Sequence, residues 1–285
     1  MAEQRKWDAY VINLESAPER WTHMQNEFKD TVLNVVRWTC QKSTNNRGWA
    51  EVGKTYADIM RKHMETDPEF KKLCIIFEDD AFRLQDKETF NKRVIDIFTY
   101  LEQHAGEYSH FQGGGVYPQP AKIESQDPLI IRCNYITCTT FTVFGKDAAN
   151  SVFDYEKNID NVRDPIDNYI GQQNSGKMLA PFPHLVWQII GLSSNISSED
   201  QKVTLNEAFR NSHKDLLEFV KKNNVNCNLF TGGARKKTKG RTFSFLQKAN
   251  RRFLHKSKSL GMKSSKNRKV FSSKTRKNDY SSKVK

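Results

Sequence analysis

Two rhythms of apolar positions alternate along the first hundred residues. Tyr10-Val-Ile-Asn-Leu14 is a short β-prone run. Ser16-Ala-Pro-Glu19 reads as a capping box with Pro18 in the first helical turn. Trp21, Met24 and Phe28 then share one helical face. Val32 to Thr39 is β-branched and apolar, residues 41–49 form a polar loop, and Tyr56, Ile59, Met60, His63 and Met64 make a second helical stripe. Leu73-Cys-Ile-Ile-Phe77 is continuously apolar, as in a strand covered on both faces. Phe90, Val94, Ile97, Phe98 and Leu101 mark a third helix. Tyr108 to Gln112 predicts a strand that Gly113-Gly-Gly115 breaks, and Leu129–Arg132 and Tyr135–Phe144 predict strands able to pair with each other. Residues 146–156 read as helix, 158–205 as a loop-rich segment with Pro165, Pro181 and Pro183, and Leu205–Val220 as a fourth long helix. Strand–helix alternation predicts βαβ units, hence an α/β fold with a mostly parallel central sheet. In such sheets ligands bind beyond the carboxyl ends of the strands.

Beyond Gly232-Gly233 the periodicity dissolves, and charge explains why. Residues 235–285 carry 19 Lys+Arg and one acid, Asp279, a charge of +18; the preceding residues carry 27 Lys+Arg against 32 Asp+Glu, a charge of −5. The net +13 therefore describes a basic tail on an acidic body. The division predicted is a folded domain over 1–232 and a disordered tail over 233–285. Phe243, Phe245, Leu246, Phe253 and Leu254, interleaved with Lys248, Arg251 and Arg252, fit a short basic amphipathic helix for an anionic membrane surface or nucleic acid. No run approaches the ~20 apolar residues of a membrane span. The opening Met1-Ala-Glu-Gln-Arg-Lys-Trp7 is not a signal segment, so a cytoplasmic location is expected. The five cysteines contain no Cys-x-x-Cys pair and read as reduced thiols. The sequon Asn195-Ile-Ser197 carries no weight without a secretion signal. Composition excludes collagen-like, coiled-coil and disulfide-framework classes.

Glu78-Asp79-Asp80, directly after the apolar strand, is the sharpest chemical feature. Adjacent acids at a buried strand end repel, and burying one costs several kcal/mol unless it is paired. A divalent cation relieves this: Mg²⁺ or Mn²⁺ takes one or two carboxylates and fills its shell with phosphate oxygens and water. In extended geometry Glu78 and Asp80 share a side. A second feature, Gly48-Trp-Ala-Glu-Val-Gly53-Lys54-Thr55, matches the phosphate-loop pattern and keeps a P-loop nucleotide hydrolase in play. Against it, polar residues 41–47 separate the loop from a strand, and Trp49, Glu51 and Val52 are bulky for tight turns. Asp167, in Asp164-Pro-Ile-Asp167-Asn168, is a candidate general base or a helix cap. His184 is a candidate metal or phosphate contact or a core histidine. Arg20 is a candidate diphosphate contact or a solvated helix residue.

Together these segments resemble glycosyltransferase family 25, the group with lipopolysaccharide and collagen galactosyltransferases. The resemblance spans about residues 8–200. It rests on Tyr10–Leu14, Pro18-Glu-Arg20-Trp21, Val52-Gly53, Cys74-Ile-Ile-Phe-Glu-Asp-Asp-Ala81, Phe141-Thr-Val-Phe144 with Ala148-Ala149, and Pro165-Ile-Asp167-Asn168, with a looser match over His184 to Ser194. It implies a Rossmann-like nucleotide-sugar fold of the GT-A type and inverting transfer of a hexose, galactose or glucose, from a UDP-sugar. The implied acceptor is a hydroxyl on a glycan, a lipid-linked sugar or a protein. It further implies Asn13, Arg20, Gly53 and Asp79 at the donor, Glu78 and Asp80 on Mn²⁺ or Mg²⁺, and Asp167 as the catalytic aspartate. Where the family has Cys and Ser-His after the glycine, this chain has Lys54, Ala57 and Asp58; where it has His before the aromatic strand, this chain has Thr139 and Thr140. A degenerate, non-catalytic binding protein on the same fold stays open beside the enzyme. The tail is similar in composition alone to those of large-DNA-virus proteins, which would place the chain in host cytoplasm or virion.

Overall fold

In the computed structural model of the chain, which describes residues 5–41, 48–189 and 199–225, strand β1 (Trp7–Leu14) lies between β2 (Leu33–Cys40) and β3 (Cys74–Glu78), parallel to both. All described residues belong to the unit Met1–Ala234. The sheet continues through β6 (Leu129–Phe144), β5 (His110–Gln126) and β7 (Met178–Pro181), in the order β2-β1-β3-β6-β5-β7. Five of its six strands run in one direction; β6 is reversed against β3, β5 and β7. A two-stranded ribbon of β4 (Ala81–Arg83) and β8 (Val186–Gln188) stands beside it.

The strands bury both faces, as the apolar runs require. Ala9, Val11, Ile75 and Phe77 pack with Met24 and Phe28 of α1 (Pro18–Glu27) and with Phe90, Val94, Ile97, Phe98 and Leu101 of α3 (Lys87–Gln103). The alternate residues Ile12, Cys74 and Ile76 pack with α2 (Gly48–Met64), α4 (Lys146–Lys157) and α5 (Ile166–Gln173). This is the period-two alternation of a strand, used on both sides. A third cluster joins β6 and β7 to Leu216 and Val220 of α6 (Glu199–Lys222). No helix among the described residues is long and apolar enough to cross a membrane.

Several local expectations are corrected. The capping box does not form: Ala17 is the N-cap of α1 and makes no side-chain cap bond. Pro18, within the first turn, has no N–H to satisfy. Gly113-Gly-Gly115 does not break a strand; β5 runs through it. A Cβ at Gly113 would stand 2.1 Å from Phe141, and one at Gly114 would stand 2.4 Å from the Val186 carbonyl oxygen, so the glycines let β6 and β8 come close. Leu129–Arg132 and Tyr135–Phe144 do not pair with each other; they are one strand laid along β5. The segment read as loop-rich holds α5, β7 and β8, elements too short to show a period. The tail 233–285, the sequon at Asn195, Cys227 and most of the polar loop 41–49 lie outside the described residues. The four described cysteines are free thiols.

At Gly114 the obstacle is backbone, which cannot swing aside. Gly114→Ala should destabilise by about 1–3 kcal/mol, as overpacking does. The expected result in a thermal melt is a fall in Tm of roughly 2–12 °C. An unchanged Tm would mean that β8 does not approach β5 as described.

Candidate functional site

The chain leaves β1 through α1 to β2 on one flank and returns through α2 to β3 on the other. The carboxyl ends of β1 and β3 therefore border the point where the winding reverses, the usual ligand crevice of such sheets. Asn13 stands at the end of β1, and Glu78 is the last residue of β3. The same alternation that built the two cores sends them apart, Asn13 toward α1 and Glu78 toward α2 and α5.

On the α1 side the Arg20 guanidinium meets Asp79 Oδ1 at 2.5 Å and Asp80 Oδ2 at 2.9 Å. Fully buried Asn13 donates through Nδ2 to Asp79 Oδ2 at 2.6 Å and to the Ala17 carbonyl at 3.0 Å. Its Oδ1 accepts from Arg37 Nε at 2.8 Å. Both Asn13 Nδ2 protons are thus used within the protein, and its visible work is to aim Asp79. Burial pushes Asp79 up to about 6, against the opposing pull of Arg20 and Asn13.

On the other side Glu78 accepts from Thr139 Oγ1 at 2.8 Å and from Gln188 Nε2 at 2.7 Å. Burial first, then repulsion from Asp80, pushes it up to about 8. The buried Tyr56 of α2 faces the same carboxylate, and its phenol is held well above the usual range by burial and by that charge. The extended i, i+2 relation expected of Glu78 and Asp80 is replaced by a turn at Asp79–Asp80. Asp80 consequently shares Arg20 with Asp79, while Glu78 points to β6 and β8.

Asp167 reaches the same region from the first turn of α5. It does not cap its helix: Oδ2 accepts from Thr137 Oγ1 at 2.7 Å and from the Cys138 N–H at 3.1 Å. Its neighbour Asn168 accepts from Thr137 and from the Tyr135 hydroxyl. Between the pairs Val116–Thr137 and Gly114–Phe141, three residues of β6 stand against the single Gly115 of β5. Cys138 takes a φ of 80° in this bulge, a conformation that costs a non-glycine residue on the order of 1–3 kcal/mol. The bulge turns Thr139 to Glu78 and the Cys138 N–H to Asp167, so one irregularity orients both carboxylates.

Two expected site residues have other work. Gly53 lies inside α2, where a Cβ would stand 2.4 Å from the Tyr155 ring; what the structure shows of it is a helix-packing role. The whole phosphate-loop match, Gly48 to Thr55, is helical, and exposed Lys54 pairs with Glu51, so no phosphate-cradling loop exists and the P-loop reading falls. Its letters fit because a glycine needed for close helix packing happens to precede Lys-Thr. His184 is fully buried, with Nε2 3.0 Å from Ser212 Oγ; Ser212 in turn donates to the Gly115 carbonyl. Burial, His213 and Arg93 hold it neutral, down to about 3. It ties α6 to β5 and is no phosphate or metal contact. Thr137, Cys138, Gln188 and Tyr56 carry no sequence signal of their own, being ordinary strand and helix residues until the bulge and the packing assemble them.

Among the described residues no group of three or more His, Cys, Asp or Glu is arranged to hold a metal ion. What the site offers is two carboxylates, Glu78 and Asp80, in an acid triplet at the end of β3. That set fits a cation that needs one or two carboxylates and takes phosphate and water for the rest.

No family model matches the chain, and no curated protein does. Among solved structures, the crystal structure of a glycosyltransferase involved in the glycosylation of the major capsid of PBCV-1 is similar at 10% identity and a TM-score of 0.40, over 68% of this chain and 96% of that one. At that level of similarity no residue takes a role from it.

The raised Glu78 fixes the sign of a pH effect. The folded chain holds a proton that the unfolded chain gives up above about 4.5. Its contribution to stability is full below that value and is lost as pH rises toward about 8. In cation-free buffer, the Tm of Glu78→Gln relative to wild type should therefore rise between pH 5 and pH 8, by at least roughly 2–4 °C, the shift produced by about 1 kcal/mol. Parallel Tm curves for wild type and variant would contradict the burial of Glu78.

Proposed function

We propose that the chain is a glycosyltransferase that moves galactose or glucose from a UDP-sugar to an acceptor hydroxyl with inversion, assisted by Mn²⁺ or Mg²⁺. One observation carries the reading: the acids Glu78, Asp79 and Asp80, the two aspartates paired with Arg20, border the crevice where the sheet's winding reverses, and Asp167 is held by the same bulge of β6 that binds Glu78. Carboxylates gathered at that place suit a cation-bound diphosphate.

Glu78 and Asp80 would hold the cation, which when bound supplies Lewis-acid neutralisation of the departing diphosphate. Arg20 adds positive charge from the α1 side, and Asn13 keeps Asp79 turned to Arg20 so that this charge stays in place. Asp167 takes the proton. Both of its β6 bonds land on Oδ2, which leaves Oδ1 for the acceptor hydroxyl. The acceptor oxygen attacks the anomeric carbon, the bond to the diphosphate oxygen breaks with its electron pair, and the hydroxyl proton passes to Oδ1. One displacement inverts the anomeric configuration, and no covalent enzyme intermediate forms. The likeness of the sequence segments to family 25 supports the choice of UDP-hexose.

Calorimetry of UDP and ATP, each with and without Mn²⁺, tests the reading on wild type and Asp80→Ala. Expected is Mn²⁺-dependent UDP binding, weakened at least about ten-fold in the variant, a loss of about 1.4 kcal/mol, with little response to ATP. Binding of UDP that ignores Mn²⁺, or no binding, overturns it. For Asp167→Asn, kcat of transfer should fall by about 10²–10⁴ while UDP affinity stays unchanged; a change in UDP affinity alone would remove Asp167 from the base role.

A further inference from the structure

Tyr117 breaks two rules at once. It is 57% exposed, a large hydrophobic side chain left in water. Its φ is 53°, a conformation that is an outlier for a bulky residue and costs on the order of 1 kcal/mol or more. Backbone strain that holds an aromatic ring out in solvent adds nothing to folding, and such outliers collect at ligand sites.

Its position ties it to the proposed base. Tyr117 follows Val116, which pairs with Thr137, whose hydroxyl holds Asp167. The next pair, Gln119–Tyr135, leads to the Tyr135 hydroxyl, which donates to Asn168 beside Asp167. β5 runs in the same direction as β3, and Val116 lies past the level of Phe77, Phe141 and Gly114, beyond the carboxyl end of β3. Residues 116–119 therefore border the crevice on the Asp167 side, away from Arg20.

We propose that Tyr117 is an acceptor-binding residue, a platform on which the apolar face of a pyranose ring stacks while one of its hydroxyls is offered to Asp167, so that the acceptor is a carbohydrate. An aromatic face is electron-rich and meets the polarised C–H bonds of a sugar favourably, while the phenol hydroxyl stays wet. One exposed aromatic gives an open, shallow platform, which suits a sugar at the end of a chain. The inference rests on the glycosyltransferase reading for its purpose, but its test has a separate readout.

Saturation-transfer NMR with the full chain and methyl β-glycosides of glucose, galactose and xylose, each with and without UDP and Mn²⁺, supplies that readout. Wild type should saturate the protons of one sugar face. Tyr117→Phe should preserve the effect, and Tyr117→Ala should weaken sugar binding by about two- to ten-fold, the worth of an aromatic contact. UDP affinity should be equal in all three, and melting temperatures should show that the variants fold. Equal sugar saturation in wild type and Tyr117→Ala, or none in wild type, overturns the proposal even if UDP binds. Sugar stacking that depends on Tyr117 without any UDP binding would keep the platform and remove the UDP-sugar donor. Saturation by an acceptor peptide in place of every sugar would also overturn it.

Discussion

Everything at the crevice depends on one electrostatic constraint, three consecutive acids set at the end of a buried strand with Arg20 paired to two of them. Arg20 can satisfy Asp79 and Asp80 together, because its fork presents several donors. Glu78 takes neutral donors instead, Thr139 and Gln188. Neutral donors soften the burial of a carboxylate without cancelling its charge, and so Glu78 is pushed up to about 8 while its neighbour Asp79 reaches only about 6. A fold built for stability alone would replace Glu78 with an apolar residue. Its retention in an otherwise apolar strand is intelligible if something cationic completes the site.

The second determinant is the irregular stretch of β6. A regular strand would present alternate side chains to opposite faces and could not address Glu78 and Asp167 from adjacent residues. Three residues set against Gly115, with Cys138 in a left-handed conformation, break that rule locally. The backbone N–H of Cys138 and the hydroxyls of Thr137 and Thr139 then all face acids. The glycines of β5 make room for this, since side chains at Gly113 or Gly115 would collide with Phe141 or Ile136. Strain in one strand and bare backbone in the next are two parts of one device.

Much of this was legible in the residues. The βαβ order, the doubly covered strands β1 and β3 and the faces of α1 and α3 follow from period alone, because apolar burial on a strand or helix must repeat with that element's geometry. The acid triplet stands out because ionisable residues beside an apolar run are costly, whereas Asp167, in a stretch without a period, reads equally as a base and as a helix cap. Less legible were the roles of Gly53 and His184. A glycine reads alike in a phosphate loop and at a tight helix contact, and a histidine reads alike as a ligand and as a buried link to Ser212. Local sequence does not record what lies against a residue.

The sequence by itself determined the fold class, the acidic body with its basic tail, and the presence of carboxylates at the end of a buried strand, since these depend on composition and short-range periodicity. Only the tertiary structure decided that Asp79 and Asp80 share Arg20, that Glu78 faces Thr139 and Gln188, and that Asp167 is anchored on β6. Those partners come from positions as far apart as 110 residues, in Glu78 and Gln188. The physical reason is that charge pairing and hydrogen bonding act through space, whereas periodicity acts along the chain.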